Sequence, residues 1–367
     1  MYSDTPTGVG IYTREVWNRL IPKLQKENVA ATAYAYNTPD LKNAECIKPV
    51  KIPLGLNAIL KKSLSVHRLF WNFFCLPFLA KKYDLVYSFS THGSPFIKNQ
   101  IITIHDLICF SFPKQHRFQY LYFKYLLPPV LKRCKLIVVI SEFTKLKVQE
   151  HYKIDPKKII VVYNGGDHLK ISNTLHALPA VATQFNLTSK PFFLTVGASY
   201  PHKNVERLIT AMMALKTNAS LVVVGAPNAY YQHLKNTVQN ESISNILFLN
   251  YVSPQVLSWL YANCIANVYV SLYEGFGFPP FEAALHNTVS IISNTTALPE
   301  VYKDAALYVD PYDVASITNA LQKVSEEGFD KTVYQQKFSS LIASYTWEKT
   351  AGAIEHLIEN NLDAARL

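Results

Sequence analysis

Short apolar runs rich in β-branched residues recur along this chain, each separated from the next by a stretch of helical spacing. That alternation constrains the fold more than any other feature. In the first half the runs fall at 31–36, 84–88, 100–104, 136–140 and 159–162, with helical stretches at 11–21, 62–81, 118–132 and 142–152. In the second half the runs fall at 192–196, 220–224, 245–249, 267–271, 289–292 and 306–309. Helices near 205–214, 230–239, 255–262, 281–286 and 313–325 lie between or after them. Leu136-Ile-Val-Val-Ile140 is apolar at every position, as a strand covered on both faces must be. The pattern predicts an α/β protein of two Rossmann-like βα-repeat domains.

With 367 residues the chain has room for two domains, each able to bury its own core. Apolar residues make up 49% of it and charged residues 17%, a globular composition. The turn-forming cluster Asn164-Gly165-Gly166 marks the boundary, giving domains over 1–166 and 167–346, with a helix over 347–367 to follow. Residues 171–189 are polar and weakly periodic and are expected to form a connecting excursion. Five cysteines without paired spacing argue for reduced thiols and against a zinc site. No apolar stretch opens the chain, so no signal peptide is expected and the compartment expected is cytoplasmic.

The segment Glu274-Gly-Phe-Gly-Phe-Pro-Pro-Phe-Glu282 sets two carboxylates eight positions apart, with only glycine, proline and aromatics between them. Gly275 and Gly277 allow close backbone approach to a ligand, and Pro279 and Pro280 suit the first turn of a helix. Two acids and several free amide N–H groups are then expected at one helix N-terminus, a place for an anionic ligand that also carries hydroxyls. The same residues also suit an ordinary connection in which Glu282 complements the helix dipole. Position favours the ligand, because the segment follows an apolar run at the carboxyl end of a predicted parallel strand.

Three further places carry chemistry. Gly8-Val-Gly10 precedes the helical pattern beginning at Ile11, where free amides suit a phosphate or a sugar, although a plain loop fits the short motif equally. Gly197-Ala-Ser-Tyr-Pro-His-Lys-Asn204 delivers Lys203, a point charge for phosphate, beside His202, which offers one donor and no fixed charge when neutral. His105 follows the apolar run 101–104 at a strand's carboxyl end, as either a ligand contact or a structural histidine.

Taken together, Ser271-Leu-Tyr-Glu-Gly-Phe-Gly-Phe-Pro-Pro-Phe-Glu282 and Ser293-Asn-Thr-Thr-Ala-Leu-Pro-Glu300 resemble the family 4 glycosyltransferases. Thr7-Gly-Val-Gly-Ile-Tyr12, His105-Asp-Leu107, Ile140-Ser-Glu-Phe143, Asn164-Gly-Gly-Asp167 and the Lys203 segment match in the family's order over nearly the whole chain. The resemblance implies the GT-B fold, two domains facing across a cleft, with an acceptor side in 1–166 and donor binding in 167–346. It also implies that the last helix returns to the first domain. It implies a retaining transfer from a nucleotide-diphosphate sugar, with Glu282 on the ribose, Glu274 on a sugar hydroxyl and Lys203 on the diphosphate. The amides of Gly277 and Phe278 would lie near sugar and phosphate, and His105 near the reacting carbon. The family usually has an arginine where this chain has His202. It also supplies a first strand before Gly8; only seven residues precede Gly8 here, Pro6 among them, so that strand is expected to be missing. There is no Asp-x-Asp triad, so neither a metal nor another cofactor is expected. The versions of the motifs found here resemble those of mannosyltransferases of surface-polysaccharide assembly, which favours a GDP-sugar over a UDP-sugar.

Charge is uneven: residues 1–166 hold 24 Lys+Arg against 10 Asp+Glu, and the remainder 12 against 16. No recognisable nucleic-acid module accompanies the basic half, so an anionic membrane surface is the partner expected rather than nucleic acid. Lys61-Lys62, the aromatic run 69–80 with Lys81-Lys82, and the run 117–127 fit an interfacial contact, and they equally fit amphipathic helices packed on the sheet. Two rival functions are an epimerase of UDP-N-acetylhexosamine on the same fold, which needs no acceptor, and an inactive nucleotide-sugar-binding partner.

Overall fold

A computed structural model describes residues 8–35, 41–50, 64–168 and 180–366. The chain divides into two compact units, Met1–His168 with Tyr345–Leu367, and Leu169–Ser344. The expectation about a strand ahead of Gly8 concerns residues 1–7, which lie outside the described ones, as do Lys61 and Lys62.

In the first unit β1 (Ala33–Ala35) and β2 (Ile47–Pro49) pair in parallel as a separate two-stranded piece. β3 (Val86–Ser88), β4 (Gln100–Ile104), β5 (Leu136–Val139) and β6 (Ile159–Val161) form a parallel sheet in that order. Its register is set by Val86 opposite Gln100, Ile101 opposite Leu136 and Ile137 opposite Ile159. Every residue of β4 is buried, as a doubly covered strand requires.

Helices lie against this sheet. The first, Gly8–Lys26, starts three residues earlier than its apolar periodicity predicts, so Gly8 and Gly10 belong to its first turn. It also runs on through Pro22, four residues from its end. Two others are interrupted by a widened turn instead. Leu64–Phe70 continues through a π-helical turn, Trp71–Cys75, into Leu76–Ala80, and Arg117–Leu121 continues through Tyr122–Leu126 into Leu127–Arg133. In each the widened turn comes just before proline, Pro77 in one and Pro128-Pro129 in the other. A proline lacks the N–H and crowds the preceding turn, and one extra residue in the turn relieves both problems.

The helix Trp347–Arg366 belongs to the same unit. The fully buried Trp347 anchors it: its amide donates to Asp167 Oδ1 at 2.7 Å and its indole to His168 Nδ1 at 2.8 Å. Gly165 is obligatory there, since a Cβ would run into the backbone of Thr346 and Trp347.

The second unit is a six-stranded parallel sheet. Its strands are β7 (Phe192–Val196), β8 (Ser220–Val224), β9 (Ile246–Leu249), β10 (Asn267–Tyr269), β11 (Ser290–Ser293) and β12 (Leu307–Val309). Their spatial order is β12-β11-β10-β7-β8-β9. The chain builds outward from β7 through β8 to β9, then returns to the other side of β7 and builds outward again. β7 and β10 are therefore neighbours at the point where strand order reverses, with Asn267 opposite Leu194. Loops leaving the carboxyl ends of two such strands diverge and leave a crevice.

The sequence pattern missed β2, the helix Ala180–Gln184 inside the supposed excursion, and the helices Leu298–Tyr302 and Thr332–Ile342. Among the described residues no helix is long and apolar enough to cross a membrane.

Candidate functional site

The loops leaving β7 and β10 bring a cation, a carboxylate and a buried tyrosine hydroxyl together. After β7 the chain turns at Gly197 (φ +84°), forms a short 3₁₀ turn Pro201–Lys203, and enters the helix Val205–Ala214 through Asn204 (φ +60°). Asn204 is buried, and its amide donates to the carbonyls of Val270 at 3.0 Å and Pro311 at 2.7 Å. The His202 carbonyl accepts from the Leu272 amide at 2.7 Å. These bonds hold the β7 loop against the end of β10 and so fix the backbone that carries Lys203.

Lys203 Nζ lies 2.6 Å from Glu274 Oε1 and 2.7 Å from the Tyr269 hydroxyl, which in turn donates to the same Glu274 oxygen at 2.7 Å. The pair is mostly screened from water, with side chains 18% and 12% exposed. Burial alone would push the Glu274 carboxyl up. The Lys203 ammonium, His202 and the Tyr269 hydroxyl outweigh it and hold the group below the ordinary glutamate range. Glu274 is thus an anion bound to a cation, and both can exchange partners if a phosphate and a sugar hydroxyl arrive together.

Glu282 lies in the first turn of the helix Pro279–Leu285. Its Oε2 accepts from the buried Tyr261 hydroxyl at 2.8 Å. Burial raises its pKa and that hydroxyl opposes the rise only partly. Behind it, His286 Nδ1 lies 2.7 Å from the Glu282 carbonyl and Nε2 lies 2.6 Å from Ser258 Oγ. Nδ1–H donating to that carbonyl and Nε2 accepting from the Ser258 hydroxyl would satisfy both contacts.

The expectation of free amides at this helix N-terminus is not met. Pro279 and Pro280 have no N–H, and the Phe281 and Glu282 amides both turn back to the Phe278 carbonyl, at 2.8 and 3.2 Å. Among the described residues the amides of Gly275 and Gly277 have no protein acceptor, so the backbone donors lie one turn earlier, in the glycine loop. Gly277 holds φ +85°, and its carbonyl accepts from the buried Tyr302 hydroxyl. A Cβ at Gly277 would come 2.7 Å from Leu298 Cδ2, so conformation and space both demand glycine.

The remaining predicted residues belong to the first unit and are brought together there. His105 follows β4, and its Nε2 lies 2.9 Å from the Phe89 carbonyl. Burial lowers its pKa to about 4, against the pull of that carbonyl. It is therefore neutral at physiological pH, with Nε2–H donating and Nδ1 left to accept. The edge of the Tyr12 ring meets the His105 ring at 4.8 Å between centroids. Tyr12 belongs to the helix that opens with Gly8 and Gly10, and its hydroxyl joins Tyr87 at 3.1 Å, which joins Thr103 at 2.9 Å. One buried tyrosine thus connects the glycine turn with the histidine. Asp106 Oδ1 accepts the Ile108 amide at 3.0 Å and fixes the loop that follows.

Two contributors escaped the sequence reading. Tyr269 looks like one more core aromatic in an apolar run, and Asn204 like a helix cap. Among the described residues no three His, Cys, Asp or Glu side chains are grouped to hold a metal ion.

Comparison with known proteins adds the following. The family model described as Glycosyltransferase Family 4 matches residues 8–168, and the one described as Glycosyl transferases group 1 matches residues 182–340. The O-antigen chain mannosyltransferase RfbU of Salmonella typhimurium is 33% identical over 236 residues, a match covering 64% of this chain and 63% of that protein. The chain thus matches less than two thirds of that relative's length. The O-antigen chain mannosyltransferase B of Escherichia coli is 27% identical over 271 residues, covering 70% of each. Among solved structures, Anabaena HepE in complex with UDP and glucose superposes with a TM-score of 0.73 at 14% identity, covering 98% of each chain.

Proposed function

This chain belongs to the family 4 glycosyltransferases and has their GT-B fold, and on that footing we propose that it transfers mannose from GDP-mannose to a glycan or lipid-linked acceptor in cell-surface polysaccharide assembly. The observation that carries the reading is the Lys203–Tyr269–Glu274 cluster at the strand-order reversal of the second unit. A sugar nucleotide presents a diphosphate beside sugar hydroxyls, and the cluster presents a cation beside a carboxylate.

In this reading Lys203 leaves Glu274 for the diphosphate, and Glu274 turns to a hydroxyl of the donor sugar. Glu282 accepts from the ribose hydroxyls, and the Gly275–Gly277 amides face phosphate or sugar oxygens. Lys203 supplies the positive charge that a metal ion supplies in other transferases, so no metal is invoked. In the first unit, neutral His105 and the Gly8–Gly10 turn are assigned as ligand contacts, and His105 accepts through Nδ1 rather than donating as a cation. The transfer retains configuration: the acceptor hydroxyl attacks C1 on the face from which the diphosphate departs. The bond from C1 to the phosphate oxygen breaks, and the hydroxyl proton passes to that departing oxygen. Catalysis then rests on positioning and on stabilising the leaving group. The reading includes peripheral contact with an anionic membrane at its cytoplasmic face, supported by the basic excess of residues 1–166.

The test incubates the purified chain with GDP-mannose or UDP-sugars and a lipid-linked glycan, and reads the anomer of the product by NMR. Mannosyl transfer with retention is expected. Absence of transfer from every nucleotide sugar overturns the proposal, and isomerisation of a free UDP-sugar without acceptor replaces it by the epimerase reading. A thermal-shift panel runs beside it, since a ligand at a hundredfold excess over Kd stabilises a fold by about 2.7 kcal/mol.

A further inference from the structure

We propose that the outer sides of the two proline-interrupted helices of the first unit, with the loop between β3 and β4, form a lipid-docking surface that seats this unit on an anionic bilayer. The proposal sharpens the membrane contact of the reading above and rests on it, but its test does not depend on sugar transfer.

The helices share an inner side. Leu69 and Phe73 of one, and Tyr122, Phe123 and Leu127 of the other, pack on the same core cluster with Ile102 and Ile104 of β4. The loop joins them: Phe96 meets Phe73 edge-on at 6.4 Å, and the Thr91 carbonyl accepts from the Tyr122 hydroxyl at 3.0 Å. The outer side is aromatic. Phe74 is 59% exposed, Phe78 70%, Phe96 64%, Phe118 83% and Tyr125 61%.

Each helix carries one widened turn. In each helix a hydrogen bond spans five residues, from the Leu76 amide to the Trp71 carbonyl and from the Leu127 amide to the Tyr122 carbonyl. One added residue rotates everything downstream by about 100°. Within each widened turn the aromatics are divided between two sides. Trp71 and Phe73 turn inward while Phe74 turns out, and Tyr122 and Phe123 turn inward while Tyr125 turns out.

Charge names the occupant. Lys81 Nζ lies 5.6 Å from the Phe78 ring centroid and Lys124 Nζ 5.4 Å from that of Tyr125, so cations flank the exposed rings. Lys82, Lys98 and Arg117 are exposed as well. Between Asp84 and Glu142 the chain has seven Lys and Arg and a single acid, Asp106. Aromatics with lysines at their edges are the makeup of an element lying in a membrane interface, rings down and ammonium groups at the headgroups. The cores of protein interfaces are depleted of lysine, which disfavours a second protein. The helix Arg117–Leu121 begins beyond the carboxyl end of β4, so Phe118 lies toward the end of the sheet where open α/β folds bind ligands. A lipid-linked acceptor would then meet the unit with its lipid already in the bilayer.

The experiment is co-sedimentation of the full chain with vesicles of phosphatidylglycerol and phosphatidylcholine in equal parts, against phosphatidylcholine alone. Two triple variants accompany it, Phe74→Ser with Phe118→Ser and Tyr125→Ser, and Lys81→Glu with Lys82→Glu and Lys124→Glu. Far-UV circular dichroism confirms that both remain folded, and light scattering gives the oligomeric state. Binding to the anionic vesicles only is expected, weakened roughly a hundredfold by the lysine reversals and at least tenfold by the aromatic replacements. Absence of wild-type binding, or equal binding by folded variants, overturns the proposal. A dimer that the aromatic replacements dissociate also overturns it and assigns the surface to a second copy.

Discussion

Lys203 Nζ and Glu274 Oε1 lie 2.6 Å apart although 71 residues separate them in the chain. They meet because β7 and β10 are adjacent at the reversal of strand order, and each strand's following loop delivers one of the pair. Each charge is the principal compensation for burying the other.

Removal of one partner is therefore expected to cost more than removal of both. Lys203→Ala should destabilise the fold by about 3 kcal/mol at neutral pH, and Lys203→Ala with Glu274→Ala by clearly less. The pH dependence has a defined sign. The folded pKa of Glu274 is depressed, so its contribution is present above the ordinary glutamate range and is lost as pH falls through the folded value. In Lys203→Ala burial dominates, the pKa rises, and the deficit should shrink on acidification. Thermal unfolding of the three proteins across pH checks this, and additive single effects would sink it.

Glu282 should behave in the opposite way. Its folded pKa is raised by burial, so the fold is favoured below the unfolded glutamate pKa and loses that advantage as pH rises through the folded value. Glu282→Gln keeps an acceptor for Tyr261 and removes the buried charge. It should leave the unliganded melting temperature equal or raised at neutral pH while abolishing most of the nucleotide-induced shift. A lowered melting temperature with an intact nucleotide shift would contradict this.

Tyr269→Phe removes one hydroxyl that both accepts from Lys203 and donates to Glu274. A hydrogen bond to a charged group is worth roughly tenfold in binding, so KM for the donor should rise by about that factor. The fold itself should change little, because the ring stays in place. Steady-state kinetics with the donor varied would reveal it, and an unchanged KM would show the hydroxyl to be dispensable.

Gly277→Ala should destabilise by about 2 kcal/mol or more, because a Cβ meets both a positive φ and Leu298. Adding Leu298→Ala would relieve the clash without relieving the conformation, so calorimetric melting should show partial rescue only. Full rescue would mean that φ carries no cost.

Strands β4, β7 and β8 fall where the apolar runs place them, at Gln100–Ile104, Phe192–Val196 and Ser220–Val224. Doubly covered strands write their burial into consecutive residues, and that pattern survives without tertiary context. β2 did not announce itself, since Ile47-Lys48-Pro49 is three residues with a charge in the middle and a proline at the end. The helix Thr332–Ile342 buries only Phe338 and Leu341, too few for a periodic signal. At the candidate site the charged residues were visible as types, but the role of Tyr269 was not. Its hydroxyl reaches Lys203 only through pairing between strands that the sequence separates by some seventy positions. The amides wrongly expected at the start of the helix Pro279–Leu285 have a similar origin. Composition shows which N–H groups are missing, but not that the next two fold back on the Phe278 carbonyl.

Asn204 spans more of the second unit than its size suggests. From the loop after β7 it holds the carbonyl of Val270 beyond β10 and that of Pro311 beyond β12. Three connections are thus tied at one side chain, and none of them can change length alone without displacing the ammonium that follows β7. Anyone grafting this loop onto another sheet, or shuffling βα segments between relatives, must move all three as a block.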